Sequence, residues 1–218
     1  APTHGTASAT PMLHIFALSA EPNPPAWPSS VTVFSPGDDS ACTSAAAAIY
    51  ATNGGHSPAD NGQFSSKRYA LLFKPGSYNC TVPVGFYTQV VGLGTSPDDV
   101  VFTSSKGVHC EEGDYNASTG ALDTFWRGAE NFKTEASEAW TTGTGMLWAV
   151  SQAAPLRRVS VENDLTFGDG AAYSSGGFLA NATVGGQCNF IANQQWFSRA
   201  VEFNGGGDGR LPVAGGAW

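Results

Sequence analysis

The chain has 218 residues and a mass of 22.6 kDa, enough to enclose one full core. Only 13% of its residues are charged, and a formal net charge of −8 argues against nucleic acid or an anionic membrane as partner. No run of 18 apolar residues occurs, so no membrane span is expected.

Residues 1–30 carry Pro22, Pro24, Pro25 and Pro28 and predict an extended arm pinned by Phe16 and Trp27. Residues 31–68 predict a strand, Val31–Phe34, then a helix capped by Asp39 or Ser40 and running to about Ala51. Cys42, Ala45, Ala46 and Ile49 share one face of that helix, which suits a cap over the open end of a sheet stack. Residues 69–204 predict short strands: Ala70–Phe73, Thr81–Val84, Thr88–Leu93, Val100–Thr103, Gly107–Cys110, Leu122–Trp126, Phe132–Thr134, Met146–Val150, Arg157–Val161, Leu165–Phe167, Gly177–Ala180, Gln187–Phe190, Trp196–Phe197 and Ala200–Phe203. Residues 205–218 predict an irregular tail. With no capping element there, the last coil would need that tail, another protein or a further chain segment to cover it.

The strands are too short for helices, and the Pro, Gly, Asn and Asp between them turn the chain without reversing it. That layout predicts an all-β fold, a right-handed parallel β-helix. Ala129-Glu130-Asn131 and Val161-Glu162-Asn163 recur 32 positions apart, and Ala180-Asn181 follows. Asn tolerates left-handed backbone and its amide bonds to neighbouring main chain, so Asn131, Asn163 and Asn181 are the candidate corner residues. Irregular spacing fits coils with side loops of different length.

Cys42, Cys80, Cys110 and Cys188 form no CxxC pair and are too widely separated to favour zinc. An even count predicts two disulfides, one of them Cys42–Cys80, tying the small-residue helix to the first coils; buried thiols are the alternative. The chain opens Ala-Pro-Thr-His, as a secreted mature protein would. Sequons at Asn79, Asn116 and Asn181 permit N-glycosylation.

Gly37-Asp38-Asp39, Phe73-Lys74-Pro75-Gly76-Ser77-Tyr78 and Gln89-Val90-Val91-Gly92-Leu93-Gly94 resemble the pectin-lyase-like superfamily. More narrowly, Phe125 to Asn131, Trp148 to Arg158, Gly176 to Ala180 and Gln194 to Arg199 look like a group of secreted proteins often labelled coagulation factor 5/8 type or adenylyl cyclase. The resemblance implies a β-helix and supplies no catalytic residue.

Glycoside hydrolysis needs paired carboxyl groups, and Asp123, Glu130, Glu162 and Asp164 form the candidate pool. Direct stacking of their coils would bring Glu130 and Glu162 within about 5 Å; exposed carboxylates near Arg127, Arg157 and Arg158 are the plainer reading. Glu111, Glu112 and Asp114 offer oxygen ligands of the kind Ca²⁺ takes, without a fixed loop pattern, and no other cofactor or metal is implied. Trp126, Trp148 and Trp196 are candidates for stacking on sugar rings, or for the core. Two functions follow. One is a secreted polysaccharide-active protein of glycoside hydrolase or lyase type, or a glycan-binding module; the other is a non-catalytic structural part of an extracellular layer, wall or appendage. Familiar β-helix enzymes have more coils than this length supplies, which leans toward binding or structure.

Overall fold

The computed structural model describes residues 25–54, 62–112, 121–170, 173–190 and 193–204. In chain order the elements are β1 (Val31–Phe34), α1 (Asp39–Asn53), β2 (Tyr69–Phe73), β3 (Gly76–Tyr78), β4 (Val82–Pro83), β5 (Thr88–Gly92), β6 (Val100–Phe102), β7 (Val108–His109) and β8 (Gly128–Thr134). They continue with β9 (Glu138–Trp140), β10 (Gly143–Leu147), β11 (Pro155–Val161), β12 (Asp164–Thr166), β13 (Ser174–Ser175), β14 (Phe178–Val184), β15 (Cys188–Asn189), β16 (Asn193–Gln194) and β17 (Phe197–Phe203). The fold is a right-handed parallel β-helix with a helix before the solenoid.

Its main wall is one parallel sheet in the order β1-β2-β5-β8-β11-β14-β17, to whose first half β3 and β6 add a second segment. A second wall runs β10-β12-β15, with β9 antiparallel at its edge. Strands adjacent in the main wall are one coil apart in sequence. A coil takes as few as 19 residues (Ala70 to Gln89, Phe178 to Phe197) and as many as 39 (Val31 to Ala70, Gln89 to Gly128).

Register stacks like upon like inside the coil. Leu71, Val90, Ala129, Leu156 and Leu179 form one buried column. Phe34 stacks on its register partner Phe73, and contacts between residues of different register lines continue the cluster through Phe102 to Phe132, with successive ring centroids 5.0, 4.8 and 5.4 Å apart. Each Leu, Val or Phe of these sets contributes roughly 1.5–3 kcal/mol by leaving water.

The corners are two columns of left-handed residues. Tyr87, Trp126, Ala153, Gly176 and Gln195 occupy the first at φ 55°, 51°, 55°, 88° and 58°. Asn131, Arg158, Asn181 and Ala200 occupy the second at φ 61°, 50°, 51° and 51°. Asn131 and Asn181 therefore sit at corners as expected, but the register sets Arg158, not Asn163, beside Asn131. Asn163 lies one turn further on, where its Nδ2 donates to Ala136 O at 2.8 Å. Asn131 holds its corner by donating from Nδ2 to Gly92 O and Gly94 O, both at 2.8 Å.

Helix α1 begins at Asp39, with Asp38 as its N-cap, and packs Cys42 and Ala46 onto the coil end. Its bridge to Cys80 spans 6.0 Å between Cα atoms. The expected second disulfide does not form, and Cys110 and Cys188 are buried thiols. Register explains this: Cys110 pairs with Trp148 on the rung of β10, and Cys188 lies two rungs beyond that, past β12, so the two cysteines are three rungs apart. At about 4.8 Å per rung, that separation exceeds the reach of a disulfide. The expected strand at Leu122–Trp126 is also absent, because residues 121–123 form a turn and Trp126 is a left-handed corner. Most of the expected arm, and the 205–218 tail, lie outside the described residues.

Thiol titration of the denatured, unreduced protein is expected to find two reactive cysteines, and Cys80→Ser to lower stability by about 2–4 kcal/mol. Asn131→Ala loses three side-chain hydrogen bonds, the third accepted by Oδ1 from Arg158 Nε at 3.2 Å, and replaces a residue that tolerates left-handed backbone with one that does so less well, so a cost of about 2–4 kcal/mol in denaturant melts is expected. Asn131→Gly relieves only the backbone part and is expected to fall between Asn131→Ala and wild type.

Candidate functional site: an aromatic-walled trench on the main sheet

Outward residues of the main wall also stack in columns. Ala70, Gln89, Gly128, Pro155, Phe178 and Phe197 share one register line. Ala70, Gln89 and Pro155 of this line contribute to the floor of a trench of about 440 Å³ that runs across the rungs. Gly128 leaves room for the Gln89 side chain: a Cβ at this position would meet Gln89 Oε1 at 2.7 Å. Gln89 thus lies across the floor with its amide exposed for hydrogen bonding.

The trench wall is the first corner column. Arg68 places its guanidinium carbon 3.6 Å from the centroid of Tyr87, and Tyr87 stacks on Trp126 with centroids 5.5 Å apart and planes 10° from parallel. Two aromatic residues at positive φ are unusual, because a bulky side chain crowds its own backbone there. The turn holds them: Tyr87 N donates to Trp126 O at 2.6 Å, and Tyr87 Oη donates to Gln63 O at 2.7 Å. Trp126 is 40% exposed and faces the trench.

Beneath the wall lies Arg127, 1% exposed. Its Nη1 donates to Val84 O at 2.6 Å and to Cys110 Sγ at 3.4 Å, its Nε donates to Phe125 O at 3.1 Å, and its guanidinium lies 4.7 Å from the Phe86 centroid. Burial pushes the Cys110 thiol up and the neighbouring Arg127 charge partly offsets that. Arg127, expected near exposed carboxylates, is instead buried beneath the corner. Only its place next to the corner Trp126, where side chains alternate inward, could have shown this.

The other predicted residues are scattered. Trp148 is fully buried, with Nε1 donating to Ala154 O at 3.2 Å, so it is a core residue and not a stacking platform. Trp196 is half-buried against Phe167, 4.0 Å between centroids, with Nε1 bonded to Ser198 Oγ. Of the three tryptophans, the structure brings only Trp126 to the trench.

The carboxylates do not pair. Glu130 lies 3.5 Å from Arg157 Nε. Glu162 follows β11, one rung over and five residues further along than Arg157, the register partner of Glu130, and lies 2.7 Å from Lys133 Nζ. The close approach of Glu130 and Glu162 expected from their recurring tripeptides is therefore not made. Asp164 spends both oxygens on main chain, Oδ1 on Gln187 N at 2.8 Å and Oδ2 on Thr144 N at 3.0 Å, which clamps three coils. Asp123 is half-buried in the 121–123 turn.

Glu111 bonds Lys106 at 2.7 Å and faces His109 Nε2 at 3.4 Å, while Glu112 accepts from Asp169 N at 2.8 Å. Asp114 and Asn116 lie outside the described residues. No group of three or more His, Cys, Asp or Glu that could hold a metal occurs among the described residues. Asn79 and Asn181 are exposed, as glycan acceptors must be. Among the described residues no helix is long and apolar enough to cross a membrane.

No protein-family profile matches the chain. Over 152 residues, 69% of its length, it is 40% identical to an exo-β-1,3-glucanase of Streptomyces sp. strain SirexAA-E, and it spans 24% of that protein. The solved structure of sacteLam55A from Streptomyces sp. SirexAA-E superposes on 82% of the chain with a TM-score of 0.70 and 34% identity. A variant of sacteLam55A in complex with glucose does so with a TM-score of 0.69 and 33% identity. The chain covers 30% of each of these structures, so it spans under a third of the length of the relatives it matches. It is a right-handed parallel β-helix related in sequence and fold to part of that glucanase.

The His109 imidazole, with Lys106, holds the Glu111 carboxyl down to about 2 from 4.5. A carboxyl depressed in the folded state contributes stability that is complete above about pH 4.5 and is lost as pH falls toward 2. Glu111→Gln is therefore expected to flatten the fall of Tm with pH across that window in thermal melts.

Proposed function

We propose that this chain is the carbohydrate-binding β-helix of a secreted protein that acts on β-1,3-glucan, with the glycan lying along the trench. The observation that carries the reading is Trp126, exposed and stacked on Tyr87 at the wall of a groove whose floor offers the Gln89 amide. Neutral sugars are bound by such aromatic faces with a few amide or hydroxyl partners, and they need no charge. The relation to a β-1,3-glucanase, one of whose structures contains glucose, supplies the ligand class. It supports this reading better than the likeness to loosely labelled secreted proteins does.

Binding is favoured over catalysis in the chain by itself. Glu130, Glu162 and Asp164 are each committed to an arginine, a lysine or main-chain amides, and none faces a second carboxyl across the trench. Asn181 and Asn79 remain candidate N-glycosylation sites.

The test is calorimetric titration with soluble β-1,3-glucan. Wild type is expected to bind, and Trp126→Ala to bind at least tenfold more weakly, about 1.4 kcal/mol, with Tm nearly unchanged. Equal affinity in the variant would remove the trench from the reading. Release of reducing sugar by the chain alone would move it to catalysis and return attention to Asp123, Glu130, Glu162 and Asp164.

A further inference from the structure

The first corner column is a stack that stops. Arg68, Tyr87 and Trp126 follow one another on successive rungs, each covering the next. The next rung of that column is Ala153, exposed and with the same left-handed backbone (φ 55°), so that rung carries only a methyl group beside Trp126 and no ring. One rung on is Gly176, where a Cβ would meet Gln152 Cγ at 2.8 Å; the Gln152 side chain leans across it. Gln152 is fixed by Ser151 Oγ donating to its Oε1 at 2.8 Å and by its Nε2 reaching Ser175 Oγ at 3.4 Å. Pro155 closes the trench side.

We propose that the missing member of this stack is a sugar ring. A single pyranose of a neutral β-glucan seats over Ala153, parallel to Trp126, with the Gln152 amide and Ser175 hydroxyl taking its ring hydroxyls and the rest of the oligosaccharide continuing along the trench past Gln89. The seat has the right height. Successive rungs lie about 4.8 Å apart, and Tyr87 and Trp126 already stack at 5.5 Å, so a ring on the next rung continues the ladder at the same spacing. Ala153 is then a specificity-determining residue by its smallness. A larger side chain there would complete the ladder itself and exclude the ligand. The backbone tolerates such side chains, because Tyr87 and Gln195 hold the same conformation in the same column.

This inference rests on the glycan-binding reading, and the experiment separates the two. Laminarihexaose, cellohexaose and xylohexaose are titrated into wild type, Trp126→Ala, Ala153→Tyr and Ala153→Gln, each checked by thermal melt. The expected result is binding of laminarihexaose by wild type and a loss of at least tenfold in all three variants at unchanged Tm. Binding lost in Trp126→Ala but retained in the folded Ala153 variants overturns the seat and leaves the trench. A wild-type chain that binds none of the three oligosaccharides overturns both. Ala153→Gln keeps the test decisive if Ala153→Tyr fails to fold.

Discussion

Every coil of this protein is built on the one before it through a parallel backbone ladder, and the ladder permits no slippage. A one-residue shift would turn each strand's core side chains to solvent and its outward side chains into the core. Register therefore does more than join strands. It converts a linear sequence into columns, so that the environment of any side chain is set by the residues one coil before and one coil after it. The aliphatic column and the two corner columns are all consequences of that single constraint.

The same constraint explains why the carboxylates are poor candidates for acid–base partners and why the trench is a good candidate for sugar. Carboxylates on the outer face meet the cations of neighbouring strands: the register sets Arg157 opposite Glu130, and Lys133, opposite Ser160, reaches diagonally to Glu162. Asp164, at a coil junction, is consumed by free amides of the adjoining coils. Aromatic residues one above another, by contrast, gain from repetition, because each ring covers the face of its neighbour. A column of that kind at a protruding corner leaves its last face open to the solvent, and an apolar ring plane open to water is what a pyranose covers.

The fold was legible because its evidence is local and repeated: runs of four to six β-formers cut by turn residues admit few other architectures. The helix, the Cys42–Cys80 bridge and the left-handed corners at Asn131 and Asn181 could be read from residue type alone. The column partners could not. Glu130-Asn131 resembles Glu162-Asn163 as text, yet the corner conformation is imposed by the turn and accepts Arg158 and Ala200 as readily as Asn. Trp148 and Trp126 are likewise the same residue in similar surroundings of sequence. One follows a strand aimed inward and the other stands on a corner, a difference of register that spacing irregular by twenty residues conceals. The second disulfide failed for the same reason, since distance along the axis is invisible until coils are counted.

The unequal coils have a practical meaning. The ladder takes up only short stretches of each turn, so a coil of 39 residues and a coil of 19 meet the same neighbours in the same order. Chain length is absorbed away from the main wall, in the connections that leave it and return. The molecule thus behaves as a chassis with one machined face and one free flank: new segments, whole loops or grafted epitopes can be spliced into the flank between fixed anchor points, and the spacing of the trench, measured in rungs, does not register the change.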